Sequence, residues 1–340
     1  MSPRDGLARM FLEANGWAAA ARAPLAGDAS NRRYERLSHP RLGSAVLMDA
    51  PPDKGEDVRP FVRIATHLTS LGLSAPRILA QDEAQGFLLL EDLGDGLFAR
   101  VIRDDPTLER PLYEAAVDVL LSLHRAPLPQ DLTAYAPPLM TDMAALAFDW
   151  YGTHGDRPNA TARAAFTAAF LPLLEKSAGE QSVLIQRDYH AENLIWLPDR
   201  KGPARVGLLD FQDAMTGHPA YDLVSLLQDA RRDVPREIEA GMIARYLAIS
   251  GLNRDVFDAA YHLLGAQRNL RIIGVFARLC LRDGKAHYVD LIPRVWGLLM
   301  RDLDHPALTA VAPLLQNSLP APNPDLLRWL KKRCGTIQTL

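Results

Sequence analysis

Two carboxylates and one amide follow each other at a spacing that suits phosphoryl transfer. Asp188 is followed by Asn193 in the pattern D-x-x-x-x-N, and the apolar run 206–209 leads directly into Asp210. Phosphoryl transfer to a hydroxyl requires a carboxylate that accepts the hydroxyl proton and oxygen ligands that hold Mg²⁺ against the nucleotide phosphates. Asp188 suits the first role, and Asn193 and Asp210 suit the second. The spacing predicts a kinase catalytic loop followed by a metal-binding strand end.

Short apolar segments surround these residues in an order that would position them. Residues 183–185 and 194–197 are predicted to be strands, and a turn at 198–203 leads into a third strand that ends at Asp210. In the alternative interpretation Asp188 and Asn193 only cap turns, which is a common use of both residue types. The agreement between the strands and the spacing favours the catalytic interpretation.

The chain before residue 94 has the pattern of a small α+β lobe. Helices are predicted at 4–16 and 56–71, and strands at 34–37, 44–49, 77–81 and 86–91. Beyond Gly94 the pattern is mostly helical, at 107–128, 141–151, 160–177 and through most of 220–300. We predict an α+β, two-lobed protein. Residues 1–93 form a small antiparallel β-sheet lobe that binds nucleotide, and residues 94–340 form a larger, mostly helical lobe with the catalytic loop, metal site and acceptor site.

A turn of small residues, from Gly27 to Asn31, precedes the predicted strand at 34–37. Its backbone N–H groups could lie over a triphosphate, and Arg32 and Arg33 could add positive charge. The alternative is an ordinary turn without a ligand.

The apolar strand at 88–90 runs into the predicted boundary between the lobes. In a two-lobed kinase the nucleotide base bonds to backbone groups of this segment, which Glu91 to Leu93 would supply here. An ordinary core strand is compatible with this role, because backbone atoms make the contacts.

Composition excludes several classes of protein. A net charge of −3 over 340 residues and a pI near 6.3 argue against bulk nucleic-acid binding, which usually requires a basic surface. Cys280 and Cys334 lack metal-ligand spacing and suit a reducing compartment. No apolar run is long enough for a secretion signal or a membrane span. We expect a monomeric, cytoplasmic protein that binds neither nucleic acid nor membranes.

Three further polar positions have both functional and structural interpretations. Asp222 lies early in a predicted helix, where an acid is favourable, and we interpret it as structural support for the catalytic loop. His190 could contact substrate or phosphate, or it could be a packed histidine; a zinc site is not predicted, because a third ligand at suitable spacing is missing. The polar run 267–269, Gln-Arg-Asn, could face an acceptor pocket or form a solvated face.

The motifs QRDYHAENLIW and GLLDFQDAMTGHPAYDLVSLLQD resemble those of the aminoglycoside phosphotransferase and choline kinase branch of the protein-kinase-like fold. A closer resemblance is to bacterial kinases that phosphorylate N-acetylmuramate and N-acetylglucosamine at C1. It extends from Ala26 to Leu303, and its supporting segments are GDASNRRYERL, VLMDAPPDKGED, GFLLLEDLGDGLF and AQRNLRIIGVFARLCLRDGKAHYVDLIPRVW.

The resemblance implies a kinase that uses ATP and Mg²⁺ to phosphorylate an N-acetylated amino sugar in peptidoglycan recycling. It implies Asp188 as catalytic base, Asn193 and Asp210 as Mg²⁺ ligands, and Ser30 and Asn31 in the phosphate loop. The short stretch 210–219, without an APE motif, favours a small-molecule acceptor. Two alternatives stay open. One is a kinase for an aminoglycoside, choline or an amino alcohol, and the other is a catalytically degenerate kinase-like binding protein.

Two positions depart from the family pattern. The usual H-R-D triplet is Gln186-Arg187-Asp188 here, and Met48 stands near the position of the lysine that pairs with the nucleotide phosphates. Arg33 or Lys54 could supply the missing charge. We therefore include Arg33 and Met48 with Ser30, Asn31, Glu91 and Leu93 in the predicted nucleotide site.

The charge of the acceptor distinguishes the alternatives. Aminoglycosides and choline are cationic and need an acidic pocket, whereas N-acetylmuramate carries a carboxylate and needs a basic one. Arg187, Arg268 and Arg271 are candidates for that basic group. The predicted acceptor contacts are Arg187, His190 and Arg268.

Overall fold

The computed structural model describes residues 3–25, 31–152 and 159–337. The chain divides into two compact units. Unit 1 comprises Met1–Pro129 and Ala191–Ala214, and unit 2 comprises Gln130–His190 and Met215–Leu340. The predicted catalytic loop is therefore shared, because His190 belongs to unit 2 and Ala191 belongs to unit 1. The lobe boundary predicted between residues 93 and 94 stays a prediction.

The helices and strands alternate in the first part of the chain and become mostly helical later. In chain order they are α1 (Pro3–Ala14), β1 (Ala21–Pro24), β2 (Arg33–His39), β3 (Gly43–Asp49), α2 (Arg59–Ser70), β4 (Ile78–Asp82), β5 (Phe87–Glu91), α3 (Phe98–Asp104), α4 (Glu109–His124), α5 (Pro137–Leu146), α6 (Ala160–Ser177), β6 (Val183–Ile185), β7 (Leu194–Trp196), β8 (Val206–Leu208), β9 (Met215–Gly217), α7 (Ala220–Leu227), α8 (Arg236–Ser250), α9 (Arg254–Leu281), α10 (Ile292–Leu303), α11 (Ala312–Ser318) and α12 (Pro324–Lys332).

Unit 1 is built on a five-stranded antiparallel sheet with the strand order β1-β2-β3-β5-β4. Side chains alternate between the faces of a strand, so Leu47 and Met48 of β3 point to opposite faces, and both are buried. On the Leu47 face, α1 contributes Phe11, which stacks on Phe87 at 5.6 Å between ring centroids. The centre of the sheet is therefore protected from water on both faces.

Helix α2 buries one apolar stripe. Its buried residues recur at helical spacing, as the sequence predicts, and are Phe61, Ile64, Ala65 and Leu68. Burial of each large apolar side chain contributes roughly 1.5–3 kcal/mol.

The hairpin of β7 and β8 also belongs to unit 1. Trp196 N–H donates to the Gly96 carbonyl at 2.7 Å, and Ala99 N–H donates to the Ala191 carbonyl at 3.0 Å. These backbone bonds join the hairpin to the segment that begins α3. The hairpin that carries Asn193 and Asp210 is thus fixed at its β7 edge.

Unit 2 is mostly helical and is organised around α9. This helix has 28 residues and contacts α5, α7 and α10. A short pair of antiparallel strands, β6 and β9, precedes α7. Among the residues that the structure describes, no helix is long and apolar enough to cross a membrane.

The predicted fold class is confirmed: a small antiparallel sheet is followed by a mostly helical remainder. The strands predicted around Asp188, Asn193 and Asp210 are β6, β7 and β8. The sequence did not predict β1 or α3. Strand β1 has only four residues, mostly exposed, and α3 has seven, of which two are buried, so neither shows a sustained apolar repeat.

Gly274 lets the backbone of residues 146 and 147 approach α9 closely. A Cβ atom at residue 274 would lie 2.3 Å from the carbonyl carbon of Leu146 and 2.6 Å from the nitrogen of Ala147. We expect Gly274→Ala to lower the free energy of unfolding by about 1–3 kcal/mol, since overpacking outweighs the better helix propensity of alanine. Urea denaturation measures the change.

Gly297→Ala is the matched control on α10. A Cβ atom at residue 297 would meet no heavy atom within 4 Å. This variant should be neutral or more stable by up to ~1 kcal/mol. Equal destabilisation of both variants would contradict the close approach at Gly274.

Candidate active site

The register of the β7–β8 hairpin places Asn193 beside Asp210. Leu194 pairs with Leu208, so Asn193 stands opposite Leu209, whose N–H donates to the Asn193 carbonyl at 3.0 Å. The Asn193 side-chain nitrogen lies 3.4 Å from Asp210 Oδ2. Two residues that are 17 positions apart in the chain therefore meet at one end of the hairpin.

Asp210 adopts a left-handed backbone conformation, with φ of 56°. Such a conformation costs a residue other than glycine of order 1–3 kcal/mol and persists only where its surroundings enforce it. Gln212 Nε2 donates to Asp210 Oδ1 at 2.7 Å, and buried Phe211 packs on Phe61 of α2 at 4.8 Å between ring centroids. These contacts hold the carboxylate of Asp210 next to Asn193.

The donor set of this pair suits Mg²⁺. Magnesium prefers oxygen ligands and commonly binds through one or two protein side chains, with water and substrate phosphates completing its shell. Asp210 offers carboxylate oxygens, and a rotated Asn193 amide offers its carbonyl oxygen. Over the described ranges, no cluster of three or more His, Cys, Asp or Glu side chains could hold a metal by itself. The pair thus fits an ion that is shared with a nucleotide.

The end of the predicted phosphate loop is tied to the segment that precedes α2. Asn31 N–H donates to Glu56 Oε1 at 3.0 Å, and the Asn31 amide donates to the Lys54 carbonyl at 3.4 Å. Arg32 donates from Nε to Glu56 Oε2 at 2.8 Å. Ser30 lies outside the described residues.

Arg32 is the least exposed of the three basic residues considered near the predicted phosphate loop. Its side chain is only 12% exposed and that of Glu56 11%, whereas Arg33 and Lys54 are exposed. Burial lowers the pKa of Arg32, but Tyr34, Glu56 and Asp213 outweigh this effect and raise it overall. A permanent, partly buried positive charge therefore lies under the influence of Asp213, just beyond the Asp210 segment.

The other predicted nucleotide residues lie in the sheet and at its edge. Met48 is fully buried between Tyr34 of β2 and Leu88 of β5 in the strand register. Glu91 ends β5, and its carboxylate accepts from Arg200 at 2.8 Å. Leu93 is almost fully buried.

In unit 2, a buried carboxylate holds the segment before Asp188. Asp222 Oδ2 accepts from the N–H of Gln186 at 2.6 Å, and Oδ1 accepts from the N–H of Arg187 at 2.9 Å. Ser225 adds a bond from its hydroxyl to the Arg187 carbonyl at 3.1 Å. Arg187 is left-handed, with φ of 71°. The structural role predicted for Asp222 is confirmed by these contacts.

The surroundings of Asp188 favour its ionised form. Burial raises the pKa of Asp188, but Arg271, Arg268, His190 and Arg187 together lower it below its usual value. An ionised carboxylate at this position can accept a hydrogen bond from a hydroxyl group and orient it.

His190 is neutral at physiological pH. Burial lowers its pKa to about 4, and Arg231 Nη1 lies 3.1 Å from Nε2. Because a guanidinium can only donate, Nε2 is the acceptor and the ring proton lies on Nδ1. His190 therefore adds no positive charge around Asp188 near neutral pH.

The polar run 267–269 of α9 is buried, so its interpretation as a solvated face is wrong. Gln267 Nε2 donates to the Tyr135 hydroxyl at 3.0 Å, and Asn269 Nδ2 donates to Gln228 Oε1 at 2.8 Å. Arg268 lies between them in sequence and is only 2% exposed. Neighbouring helices cover this polar run, which helical spacing alone could not reveal.

The comparison with known proteins decides the family. Residues 22–260 match the family described as APH, phosphotransferase enzyme family. This chain belongs to that family. It is 44% identical to an N-acetylmuramate/N-acetylglucosamine kinase from Caulobacter vibrioides, over 90% of this chain and 94% of the relative. It is 36% identical to a kinase of the same name from Pseudomonas aeruginosa, over 86% of this chain and 87% of the relative.

Solved structures of the phosphotransferase family share the fold. A choline kinase from Streptococcus pneumoniae, LicA, aligns with a TM-score of 0.62 at 14% identity, over 87% of this chain and 99% of that chain. The protein-kinase-like fold predicted from the motifs is thus confirmed.

We expect Asp222→Asn to loosen the loop of Asp188. An asparagine retains one acceptor but turns an N–H₂ group toward a backbone N–H, which leaves a buried donor without a partner at a cost of about 1–3 kcal/mol. We predict a matching loss of unfolding free energy and a kcat ~100-fold lower, because catalysis depends on sub-ångström placement. Urea denaturation and steady-state kinetics measure both.

Asp233→Asn is the control, because Asp233 is 84% exposed and pairs with Arg294 at the surface of the same unit. It should leave the free energy of unfolding and kcat nearly unchanged. Wild-type kcat in Asp222→Asn would refute the positioning role.

Proposed function

We propose that this protein is an ATP-dependent kinase that phosphorylates the anomeric hydroxyl of N-acetylmuramate and N-acetylglucosamine, in peptidoglycan recycling. The observation that carries the proposal is an ionised Asp188 on a clamped loop, surrounded by arginines. Curated relatives that align over most of this chain are kinases named for these two sugars. An anomeric hydroxyl is more acidic than an ordinary alcohol, so one carboxylate is an adequate base.

The proposed roles follow the residue types and their contacts. Asp188 orients the acceptor hydroxyl and accepts its proton, and Asn193 and Asp210 hold Mg²⁺. Held there, Mg²⁺ would neutralise negative charge on the phosphates of the nucleotide. Catalysis then depends on positioning and charge neutralisation, because phosphoryl transfer leaves little covalent chemistry to the protein.

The nucleotide site is proposed to lie in unit 1. Ser30 and Asn31 contribute to the phosphate loop, Arg33 adds charge at its edge, and the backbone of Glu91 to Leu93 binds the base. Met48 contributes an apolar surface only, since a thioether cannot neutralise phosphate. Arg32, held by Glu56, replaces the missing lysine as the partner of the phosphates.

The acceptor is proposed to be an N-acetylated amino sugar and not a cation. Aminoglycosides and choline would be repelled by the arginines around Asp188, whereas a neutral or acidic sugar would not. This charge distribution argues against a kinase for aminoglycosides or choline. A degenerate binding protein is equally disfavoured, since each predicted catalytic side chain is present.

We propose a monomeric enzyme of the cytoplasm. The proposed reaction consumes ATP, and both cysteines, Cys280 and Cys334, are free thiols, as expected in a reducing compartment. One chain carries all of the proposed catalytic side chains. The proposal includes no nucleic-acid or membrane partner.

The function is tested by ATP consumption with Mg²⁺ and a panel of acceptors: N-acetylmuramate, N-acetylglucosamine, kanamycin, choline and homoserine. We expect turnover only with the two N-acetylated sugars and an acid-labile, alkali-stable 1-phosphate as product. Turnover with a cationic acceptor would reassign the enzyme, and silence across the panel would favour a binding protein.

Asp188→Asn and Asp210→Ala should separate chemistry from nucleotide binding. We expect Asp188→Asn to retain Mg²⁺-dependent stabilisation by ATP but to lose turnover by ~100-fold or more, the contribution of a positioned proton acceptor. Asp210→Ala should lose the Mg²⁺-dependent stabilisation as well. Thermal shifts with ATP, with and without Mg²⁺, give the binding readout. Full turnover in Asp188→Asn, or intact Mg²⁺-dependent binding in Asp210→Ala, would refute the corresponding role.

Arg32→Gln should weaken the binding of ATP by ~10-fold or more, because it removes a charge-assisted contact to phosphate. Binding of adenosine, which has no phosphate, should change little. Arg59→Gln is the matched control, because Arg59 also forms an ion pair with a nearby acid, Asp57, but both side chains are exposed. Thermal shifts over a range of ligand concentrations measure both affinities. An equal loss for ATP and adenosine would mean that Arg32 only maintains local structure.

A further inference from the structure

We propose that Arg268 and Arg271 of α9 form a carboxylate subsite, which binds the acid group of N-acetylmuramate and has no counterpart in the binding of N-acetylglucosamine. This inference rests on the proposed function and deepens it, since it names the residues that separate the two acceptors. The chemical class of ligand is a sugar that carries a carboxylate substituent.

Arg268 has more hydrogen-bond donors than its surroundings use. It is 2% exposed, and Nη1 reaches the Gln228 carbonyl only at 3.5 Å. Its buried Nε has no hydrogen-bond partner among the described residues. A guanidinium has five N–H donors, and leaving a buried charge without partners is costly. An anionic ligand would satisfy these donors.

The neighbouring polar groups are already engaged with each other. Gln228 Nε2 donates to Asp302 Oδ1 at 2.9 Å, while Asn269 Nδ2 donates to Gln228 Oε1 at 2.8 Å and to Asp302 Oδ2 at 3.1 Å. This network consumes both oxygens of the fully buried Asp302. The carboxylate of Asp302 is therefore already engaged by donors other than Arg268.

Arg271 lies three residues beyond Arg268, which places both side chains on one side of the helix. It is partly exposed, so a ligand can reach it. Burial lowers the pKa of Arg271, but Tyr221, Asp188 and Tyr135 outweigh this effect and raise it. Both arginines also lower the pKa of Asp188, the carboxylate that would orient the acceptor hydroxyl.

Oxygen acceptors on Asp229 and Asn269 could bind the hydroxyl and amide groups of the sugar. Asp229 is buried; Oδ1 accepts from the N–H of Arg231 at 2.8 Å, and Oδ2 has no partner within the described part of the chain. Asn269 Oδ1 is likewise buried and without a partner there. These oxygens can accept from sugar hydroxyl or amide N–H groups. A ligand with both donors and an acid group fits this combination better than an inorganic anion.

The balance of charge stays positive after the acids are counted. Arg187, Arg268 and Arg271 all lower the pKa of Asp188, whereas His190 is neutral near pH 7. Asp229 opposes them, and burial raises the pKa of Asp222 to about 7 while its oxygens remain bonded to the loop. Three guanidinium groups therefore act on Asp188, and Asp229 offsets only part of their positive charge.

The first experiment uses the wild-type protein with three acceptors: N-acetylmuramate, its methyl ester and N-acetylglucosamine. We expect the ester to have a KM ~10- to 100-fold above that of the free acid, which corresponds to the loss of one charged hydrogen-bonded contact. Thermal shifts with the same ligands give a readout that does not require turnover. Equal KM values and equal shifts for acid and ester would overturn the subsite.

The second experiment assigns the subsite to its residues. Arg268→Gln and Arg271→Gln should each raise KM for N-acetylmuramate by ~10-fold or more and that for N-acetylglucosamine by less than ~3-fold. Arg268→Lys should retain part of the preference, because it keeps the charge but loses the planar fork. Arg254→Gln is the control, since Arg254 lies exposed at the start of the same helix.

The ratio between the two sugars makes the result independent of a general loss of activity. A variant that loses both acceptors equally would show that the arginine only stabilises the loop or Asp188, and it would overturn the assignment. If Arg268→Gln does not fold, two measurements still test the subsite. They are the comparison of acid and methyl ester with the wild-type protein, and the two KM values of Arg271→Gln. If the wild type phosphorylates neither sugar, the proposed function fails, whereas the thermal shifts with acid and ester still test the subsite.

Discussion

The buried carboxylate of Asp222 holds the segment on which the proposed chemistry depends. It accepts hydrogen bonds from two consecutive backbone N–H groups, those of Gln186 and Arg187, directly before Asp188. Burial of a carboxylate is costly unless hydrogen bonds replace its hydration, and backbone donors are well suited because they cannot rotate away. The pKa of Asp222, raised to about 7 by burial, reflects the part of that cost that remains. A residue on α7 thus positions the segment that leads into Asp188.

Both segments that carry the proposed site residues contain a residue with a left-handed backbone conformation. Arg187 and Asp210 are residues other than glycine with positive φ, and each has an anchored neighbourhood. Asp222 anchors the first segment, and Phe211, packed on Phe61 of α2, anchors the second. Strained backbone persists only where such contacts outweigh its cost. Asp131, which lies outside both segments, is the third such residue in the described part of the chain, so this conformation is not confined to them.

Positive charge is provided in each unit by arginines that are held away from bulk water. In unit 1, Arg32 is paired with Glu56 beside the predicted phosphate loop. In unit 2, Arg268 is buried near Asp188 with donors to spare. Charges in a medium of low polarity act more strongly than exposed ones, and arginine keeps its charge there better than lysine. We propose that an enzyme with Met48 near the position of the usual lysine neutralises phosphate with Arg32 and selects an acceptor by its charge with Arg268.

The proposed catalytic residue types, the strands around them and the family were all predictable from the sequence. The spacing of Asp188, Asn193 and Asp210 and the apolar segments β6, β7 and β8 are local properties, which short-range periodicity and turn residues encode directly. Which basic residues are buried, in contrast, depends on contacts between distant parts of the chain. Arg32 and Arg33 are neighbours in sequence, but only contact with Glu56, 24 residues away, distinguishes the partly buried one from the exposed one. Likewise, the polar run 267–269 is buried because other helices pack around α9. The periodicity of a single helix carries no information about which of its polar residues other elements cover.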